Sequence, residues 1–384
     1  MSEPRILRHI RRRMSLGYQP LSSWRRTVRV VEDGPDDQPP DGCLRLAFIL
    51  PTHLRRANGT DLASWFEPLL EQFSEVASAF PGQVTVIVLV GMQWFAPDEE
   101  PTALRHLDVL GRLGKEHRGV RVVGLCLPGP GKMATLNAGI RLADRLRIDA
   151  VGWLDDDVVL EPGCLRNLVG AFLAGGARGA VGATKVPHAH RYVTSRLLYQ
   201  AKEITQTAMS YPHGCCLLVA TSAVTGGIPD RYACDDGYIC FRLLDPEAED
   251  AMHDLRLVPE ARCHYYVAGP AGQTRRRIRR LLLNVTIYLA DWSYPVSRHY
   301  FRHVLFDGMW PLTDWDGSKG ARHGAARAAI KWLYFAWFAR TAAELYLRGV
   351  VGRPLRQIDW AEYQSAASPG ATSDTSTVLT EAQQ

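Results

Sequence analysis

Long apolar runs are missing from this chain. None of its 384 residues lies in a stretch of ~18 uncharged apolar positions, the length that a membrane-spanning helix needs. The nearest approach, Ala329 to Leu347, is broken by Lys331, Arg340 and Glu344, so the chain is not expected to cross a membrane. Met14-Ser-Leu-Gly-Tyr-Gln-Pro20 is too short and too polar for the apolar region of a secretory signal. The eight Cys form no Cys-x-x-Cys pair and no zinc spacing. Several sit in apolar runs, where Cys behaves as a small hydrophobe, and this usage fits a reducing compartment. A P-loop is absent too: the glycine spacing ahead of Gly131-Lys132 is wrong, and Met133 stands where the motif needs Ser or Thr. Neither an aromatic RNA-binding pattern nor a helix-turn-helix accompanies the basic stretches, so nucleic acid is not an expected partner. No internal repeat is found.

What is present reads as a globular α/β protein. With 46% hydrophobic and 22% charged residues, the composition is ordinary, and the length allows one large core or two modest ones. The net charge of +5 is mild but uneven, with eight Arg against the single acid Glu3 between Met1 and Val30 and five Arg between Gln273 and Arg280. Such clusters attract phosphate or an anionic membrane surface, and a solvated charged face is the plainer account of either alone. Residues 1–42 read as a basic arm and a linker, because Val31 to Gly42 holds too much Pro, Gly and Asp for regular structure. Apolar strands at 44–50, 84–90, 121–127 and 151–154 alternate with helices whose apolar positions recur at helical spacing, as Leu62, Phe66, Leu69 and Phe73 do. The alternation predicts a mostly parallel central sheet with helices on both faces over 43–272. Residues 273–352 read as a helical extension rich in Arg and aromatics, and 353–384 as a tail with a disordered Ser/Thr/Ala-rich end. Within the extension, Trp332 to Phe338 suits either packing on the domain or contact with a membrane surface.

Five stretches carry candidate chemistry. Asp155-Asp156-Asp157 follow the apolar strand Val151–Leu154 directly. Side chains alternate along a strand, so Asp155 and Asp157 share a side at its carboxyl end, where open parallel sheets bind ligands. Two hard oxygen donors there suit Mg²⁺ or Mn²⁺ shared with phosphate oxygens; an acidic loop capping the next helix is the alternative. Lys132 stands at a helix N-terminus behind a glycine turn, where free N–H groups and the helix dipole favour an anion. A tight turn with an exposed Lys competes with that reading. Asp235-Asp236 enter an apolar run, and adjacent carboxylates raise one pKa by repulsion, which suits a general base; an N-cap pair is the alternative. His264 closes a strand, as a metal ligand or as a satisfied core or surface residue. The Arg cluster from Arg275 to Arg280 opens a helix and can clamp a diphosphate through guanidinium forks, with lipid headgroups or RNA as the competing partner. His188, His190 and His213 lack a third spaced ligand and read as loop residues.

Taken in order, these stretches resemble the family 2 glycosyltransferases of GT-A fold, most closely the cellulose, chitin and hyaluronan synthase branch. The resemblance covers about residues 44–285. It rests on Pro51-Thr52, Gly131-Lys132 ahead of Leu136-Asn137-Ala138-Gly139, and Asp155-x-Asp157. Next come Gly226-Gly227 ahead of Asp235-Asp236, Pro259-Glu260-Ala261 ahead of His264, and Gln273-x-x-Arg276-Arg277. It implies a Rossmann-like GT-A sheet and a metal-dependent, inverting transfer of sugar from a nucleotide sugar, a UDP-sugar, to an acceptor hydroxyl. Pro51, Thr52, Lys132, Asn137, Asp155 and Asp156 are then the donor-binding set, and Asp157 with His264 the ligands of Mn²⁺ or Mg²⁺. Asp236 is the catalytic base with Asp235 beside it, and Gln273, Arg276 and Arg277 contact acceptor and diphosphate. The acceptor class is open among a lipid carrier, a glycan and a small molecule. The implied location is cytoplasmic, with peripheral contact at the inner face of the membrane.

Three departures from the family pattern stand out. The second strand ends Leu89-Val90-Gly91-Met92 without the usual Asp, Arg277 replaces a Trp, and the transmembrane helices of the processive synthases are missing. One or a few transfers fit this better than a secreted polymer. A catalytically silent binder of sugar nucleotide or lipid phosphate is the alternative function. A nucleotidyltransferase would need a Gly-rich loop where Pro51-Thr-His-Leu-Arg-Arg56 stands.

Overall fold

The computed structural model describes residues 2–20, 27–31, 42–58, 61–129, 131–188, 211–266, 271–306 and 321–357. The chain opens with α1 (Arg5–Leu16), β1 (Tyr18–Gln19) and β2 (Arg29–Val31). Runs of Val, Ile and Leu too apolar to face water on either side then build the centre of a sheet: β3 (Leu44–His53), β4 (Val84–Trp94), β5 (Val120–Pro128) and β6 (Ala150–Leu154). Between them lie α2 (Leu54–Ala57), α3 (Leu62–Ala79), α4 (Glu100–Lys115) and α5 (Lys132–Arg145). The side chain of Asp61 starts α3 by accepting from the Ala63 amide at 3.1 Å. Next come β7 (Val158–Leu160), α6 (Cys164–Ala174), β8 (Ala180–His188), β9 (Cys216–Ala220), α7 (Asp235–Leu243) and β10 (Leu255–Tyr266). The C-terminal part holds α8 (Ala271–Asp291), α9 (Tyr294–His299), α10 (Ala321–Val351) and β11 (Leu355–Arg356).

The main sheet has nine strands in the order β2-β5-β4-β3-β6-β9-β8-β10-β7. β3, β4, β5, β6, β8 and β10 run one way, and β2, β7 and β9 run against them. Helices cover both faces. Phe48, Phe66, Phe73 and Phe172 pack on the α3–α4–α6 side, and Trp153, Leu217, Phe241 and Tyr288 on the side of α5, α7 and α8. The α/β class and the mostly parallel sheet expected from the alternation are therefore observed, as the GT-A resemblance implies. Two antiparallel edge strands escape sequence reading because β2 and β7 have three residues each, too few to show a period.

The Arg-rich opening reads differently in three dimensions. α1 is a helix packed on α8 and α10, where Met14 and Tyr18 join Leu283, Ile287 and Leu345 in a small core of their own. Arg11 donates from Nε to the Leu289 carbonyl at 2.7 Å and also reaches the Trp292 carbonyl, so it satisfies the end of α8. α1 and α10 touch backbone to backbone. A Cβ on Gly17 would lie 1.9 Å from the Leu345 oxygen, and one on Gly349 would lie 1.8 Å from the Arg13 oxygen. Tyr18 and Gln19 then pair in parallel with Leu355 and Arg356. Among the described residues no helix is long and apolar enough to cross a membrane.

Candidate active site

Four elements bring their ends together at the carboxyl edge of the sheet. β3 delivers Thr52 and β6 delivers the acidic triplet, while α5 and α7 begin there with Lys132 and Asp235-Asp236. The turn before β9 lies beside them, since the Asp155 amide donates to the Cys215 carbonyl at 3.0 Å. Lys132 is the hub. Its Nζ lies 2.6 Å from Asp155 Oδ1 and 2.9 Å from Asp235 Oδ2, and donates to the Gly214 carbonyl at 2.7 Å. Gly214 has no room for a side chain: a Cβ there would meet Asp235 Oδ2 at 2.1 Å. Thr52 donates its hydroxyl to Asp156 Oδ2 at 2.7 Å, which ties the middle of the triplet to β3. Asp157, the third carboxylate, is exposed.

These contacts set the charges. Burial pushes the carboxyls of Asp155 and Asp235 above the usual range; Lys132 opposes it, and Asp157 beside the first and Asp236 beside the second add to it. Burial also works against the Lys132 ammonium, but the two carboxylates outweigh it and hold its pKa above the ordinary value. Asp236 goes the other way. Burial alone would raise it, yet His213, whose Nδ1 is 3.6 Å from Asp236 Oδ2, and Lys185 hold the carboxyl well below the usual range. The repulsion expected within the Asp235-Asp236 pair thus raises Asp235, the member bound to Lys132, and not the expected base. A raised pKa in the fold means that the ionised carboxylate costs stability once pH rises through that value. Asp235→Asn is therefore expected to raise the thermal midpoint at pH 8 by about 2 °C. The gain should fade towards pH 4, near the ordinary value of 3.8, which calorimetry at the two pH values checks.

The other expected residues fall in varied places. Asn137 is buried and spends both ends of its amide on Ile228, donating to its carbonyl at 2.9 Å and accepting from its amide at 2.7 Å. It holds the loop ahead of α7 and has no free end for a nucleotide. Pro51 ends the apolar run of β3 but stays in strand, paired with Gly91. His264 lies opposite Val159 where β10 pairs with β7, two residues along from Asp157, and its Nε2 is 2.7 Å from Glu161 Oε1. Arg276 is exposed on α8. The side chains of Gln273 and Arg277 lie outside the described residues, as does His190.

Sequence reasoning passed over three side chains. His213 is 6% exposed and stands against Asp236, although its loop showed no metal spacing. Lys185 on β8 pairs in register with Cys263 and lies 5.2 Å from the Tyr265 ring centroid, and its charge reaches Asp155 and Asp236. A single Lys in the apolar run Gly182-Ala-Thr-Lys-Val186 was the available signal. Gln93 lies beyond residues 84–90, the second strand read from the sequence. β4 continues to Trp94, and Gln93 grips the turn before α5, donating to the Gly131 carbonyl at 2.6 Å and accepting from its amide at 3.0 Å. Gly131 itself has φ 134°, which a side chain resists.

The donor set fits a divalent cation only in part. Among the described residues no group of three or more His, Cys, Asp or Glu is arranged to hold a metal. Asp157 and His264 offer one hard oxygen and one imidazole. That is enough for Mn²⁺ or Mg²⁺ only where substrate phosphates complete the shell.

Fold and site together define an α/β protein with a cluster of carboxylates around a lysine at the carboxyl edge of its sheet, the usual position of a ligand site in such sheets. Residues 109–216 match the family model described as Glycosyl transferase family 2, so the resemblance read from the motifs is met over that segment, which runs from α4 to the first residue of β9. No curated protein matches the chain in sequence. Among solved structures, the chain is similar to the mannosyltransferase PcManGT from Pyrobaculum calidifontis in complex with GDP-Man and Mn²⁺. The two are 17% identical with a TM-score of 0.44, covering 91% of this chain and 94% of that one. It is also similar to glucosyl-3-phosphoglycerate synthase from Mycobacterium tuberculosis in complex with Mg²⁺ and UDP (19% identical, TM-score 0.36, 62% and 78% covered). S. aureus TarS 1-349 is a third (12% identical, TM-score 0.36, 81% and 91% covered).

Proposed function

We propose that this chain is a metal-dependent, inverting glycosyltransferase that moves a sugar from a nucleotide-sugar donor, a UDP-sugar, to an acceptor hydroxyl. The observation that carries the reading is the convergence of Lys132, Asp155, Asp235 and Asp236 at one edge of the sheet, with Asp157 exposed beside them. Asp236 stays ionised at neutral pH and takes the proton of the acceptor hydroxyl while that oxygen attacks the anomeric carbon. The bond from that carbon to the diphosphate breaks on the opposite side, and the nucleoside diphosphate leaves with the electron pair. Asp157 and His264 are the residues that would hold the cation, which when bound offsets charge on the diphosphate. Arg276, exposed on α8, stabilises the same charge from the protein side. Thr52 and Asp156 fix the wall facing the nucleoside, with Asp155 held in place by Lys132. We place the transfer at the cytoplasmic face of a membrane, on a lipid carrier, a glycan or a small molecule.

A silent binder of sugar nucleotide or lipid phosphate is the second reading, favoured by Arg277 in place of Trp. A binder has no need of Asp236 ionised at a helix start. The test is release of nucleoside diphosphate from a panel of nucleotide sugars, with Mn²⁺ and then with EDTA. Turnover of one donor, lost with EDTA, is the expected result. Failure of every nucleotide sugar to bind in the presence of metal would overturn the transferase reading.

A further inference from the structure

The outward face of α10 is apolar where a helix facing water is normally polar. Its exposed positions between 332 and 351 read Trp, Leu, Ala, Ala, Arg, Ala, Leu, Val and Val. Trp332 is 48% exposed, Leu333 53%, Leu347 60% and Val351 65%. The opposite face is committed to the protein through Phe338 and Leu345, both buried. A stripe this long marks a site of contact with a partner or a membrane, and α10 cannot span a bilayer.

Among the described residues of α1 and α10, the charges around the stripe are almost all positive. The acid of α10, Glu344, is held by Arg279 and Arg348 at 3.5 and 3.1 Å. On α1, Arg5, Arg8 and Arg12 are exposed along one line with Leu16. His9 beside them meets Tyr346 with ring centroids 6.2 Å apart, which joins that line to the edge of the stripe. Glu3, the acid of this region, is held by Arg8 and Arg11.

We infer that the face formed by α10 and α1 docks on an anionic phospholipid bilayer. The position of Arg340 favours a bilayer over a second copy of the chain. It lies seven residues from both Leu333 and Leu347, at the centre of the stripe. Two copies packed about a two-fold axis through that centre would set Arg340 against its own counterpart. At a lipid surface the same side chain lays its stem on the acyl region and turns its guanidinium to phosphate. Trp332 suits the interface for the same amphipathic reason. Arg279, which binds Glu344 at the stripe's edge, is one helical turn from Arg276, the residue assigned above to the diphosphate. The inference names the surface for the membrane-face reading above and rests on it, but its test reads binding and not sugar transfer, so the two fail separately.

The experiment is co-sedimentation of the full chain with vesicles, either of phosphatidylcholine alone or of equal parts phosphatidylcholine and phosphatidylglycerol. Binding is expected to the mixed vesicles at low salt, weakening as salt screens the arginines. Arg340→Ala is expected to lower the vesicle partition about fivefold, and Leu333→Glu with Leu347→Glu to lower it by about tenfold or more. All three positions are exposed, so thermal midpoints and donor turnover should stay at wild-type values. Absence of wild-type binding at low salt, or unchanged binding by the double variant, would refute the proposal. So would a wild-type dimer in sedimentation velocity that the double variant splits, which would make this face a contact between copies.

Discussion

Asp236→Asn is expected to lower the turnover number for sugar transfer by about 10²- to 10⁴-fold, the range for loss of a general base, with donor affinity unchanged. The substitution keeps the size of the side chain and an oxygen able to accept from the Gly237 amide, which Asp236 Oδ1 now does at 2.7 Å. What it removes is the proton acceptor. Nucleoside diphosphate release read beside donor binding by calorimetry separates the two quantities, and full turnover in the variant would move the base elsewhere. The environment adds a pH signature. Because His213 and Lys185 hold the Asp236 carboxyl below the usual range against the effect of burial, its base form persists through mildly acid pH. In His213→Leu the burial effect regains weight and the pKa rises, so the acid limb of turnover should shift towards neutral. A profile that keeps its shape while its height falls would leave His213 a packing role only.

The parts of the chain legible in the sequence are those where one local signal suffices. The apolar runs of β3, β4, β5 and β6 declare a sheet buried on both faces, and the carboxylates after Leu154 declare the edge where chemistry gathers. Roles that depend on a partner far along the chain were not legible. His213 gains its meaning from Asp236 and Gln93 from Gly131, through contacts that no spacing rule anticipates. Asn137 shows the reverse: it stands in a motif, yet its amide is spent on the Ile228 backbone. The Arg-rich opening reads as a basic arm because its internal partners, the carbonyls ending α8 and the backbone of α10, lie hundreds of residues away.

Lys132→Met is expected to destabilise the fold by about 3 kcal/mol or more at pH 8, the scale for removing one partner of a buried ion pair. Methionine fills much of the same volume, so the loss is one of charge. Asp155 and Asp235 would be left facing each other without the ammonium now 2.6 and 2.9 Å away, and the Gly214 carbonyl would lose its donor. Both carboxyls already sit above their usual range by burial, and without the lysine they rise further. The sign of the pH dependence follows. A carboxyl with a raised pKa in the fold contributes stability that is present below its unfolded value and lost as pH rises through the folded one. The variant should therefore recover part of its deficit on moving from pH 8 to pH 5, as protons replace the missing cation. Wild type, with Lys132 charged throughout this window, should change less. Urea denaturation of both proteins at the two pH values measures the difference. An equal loss at pH 5 and pH 8 would mean that Lys132 supports the site by packing its stem and not by its charge.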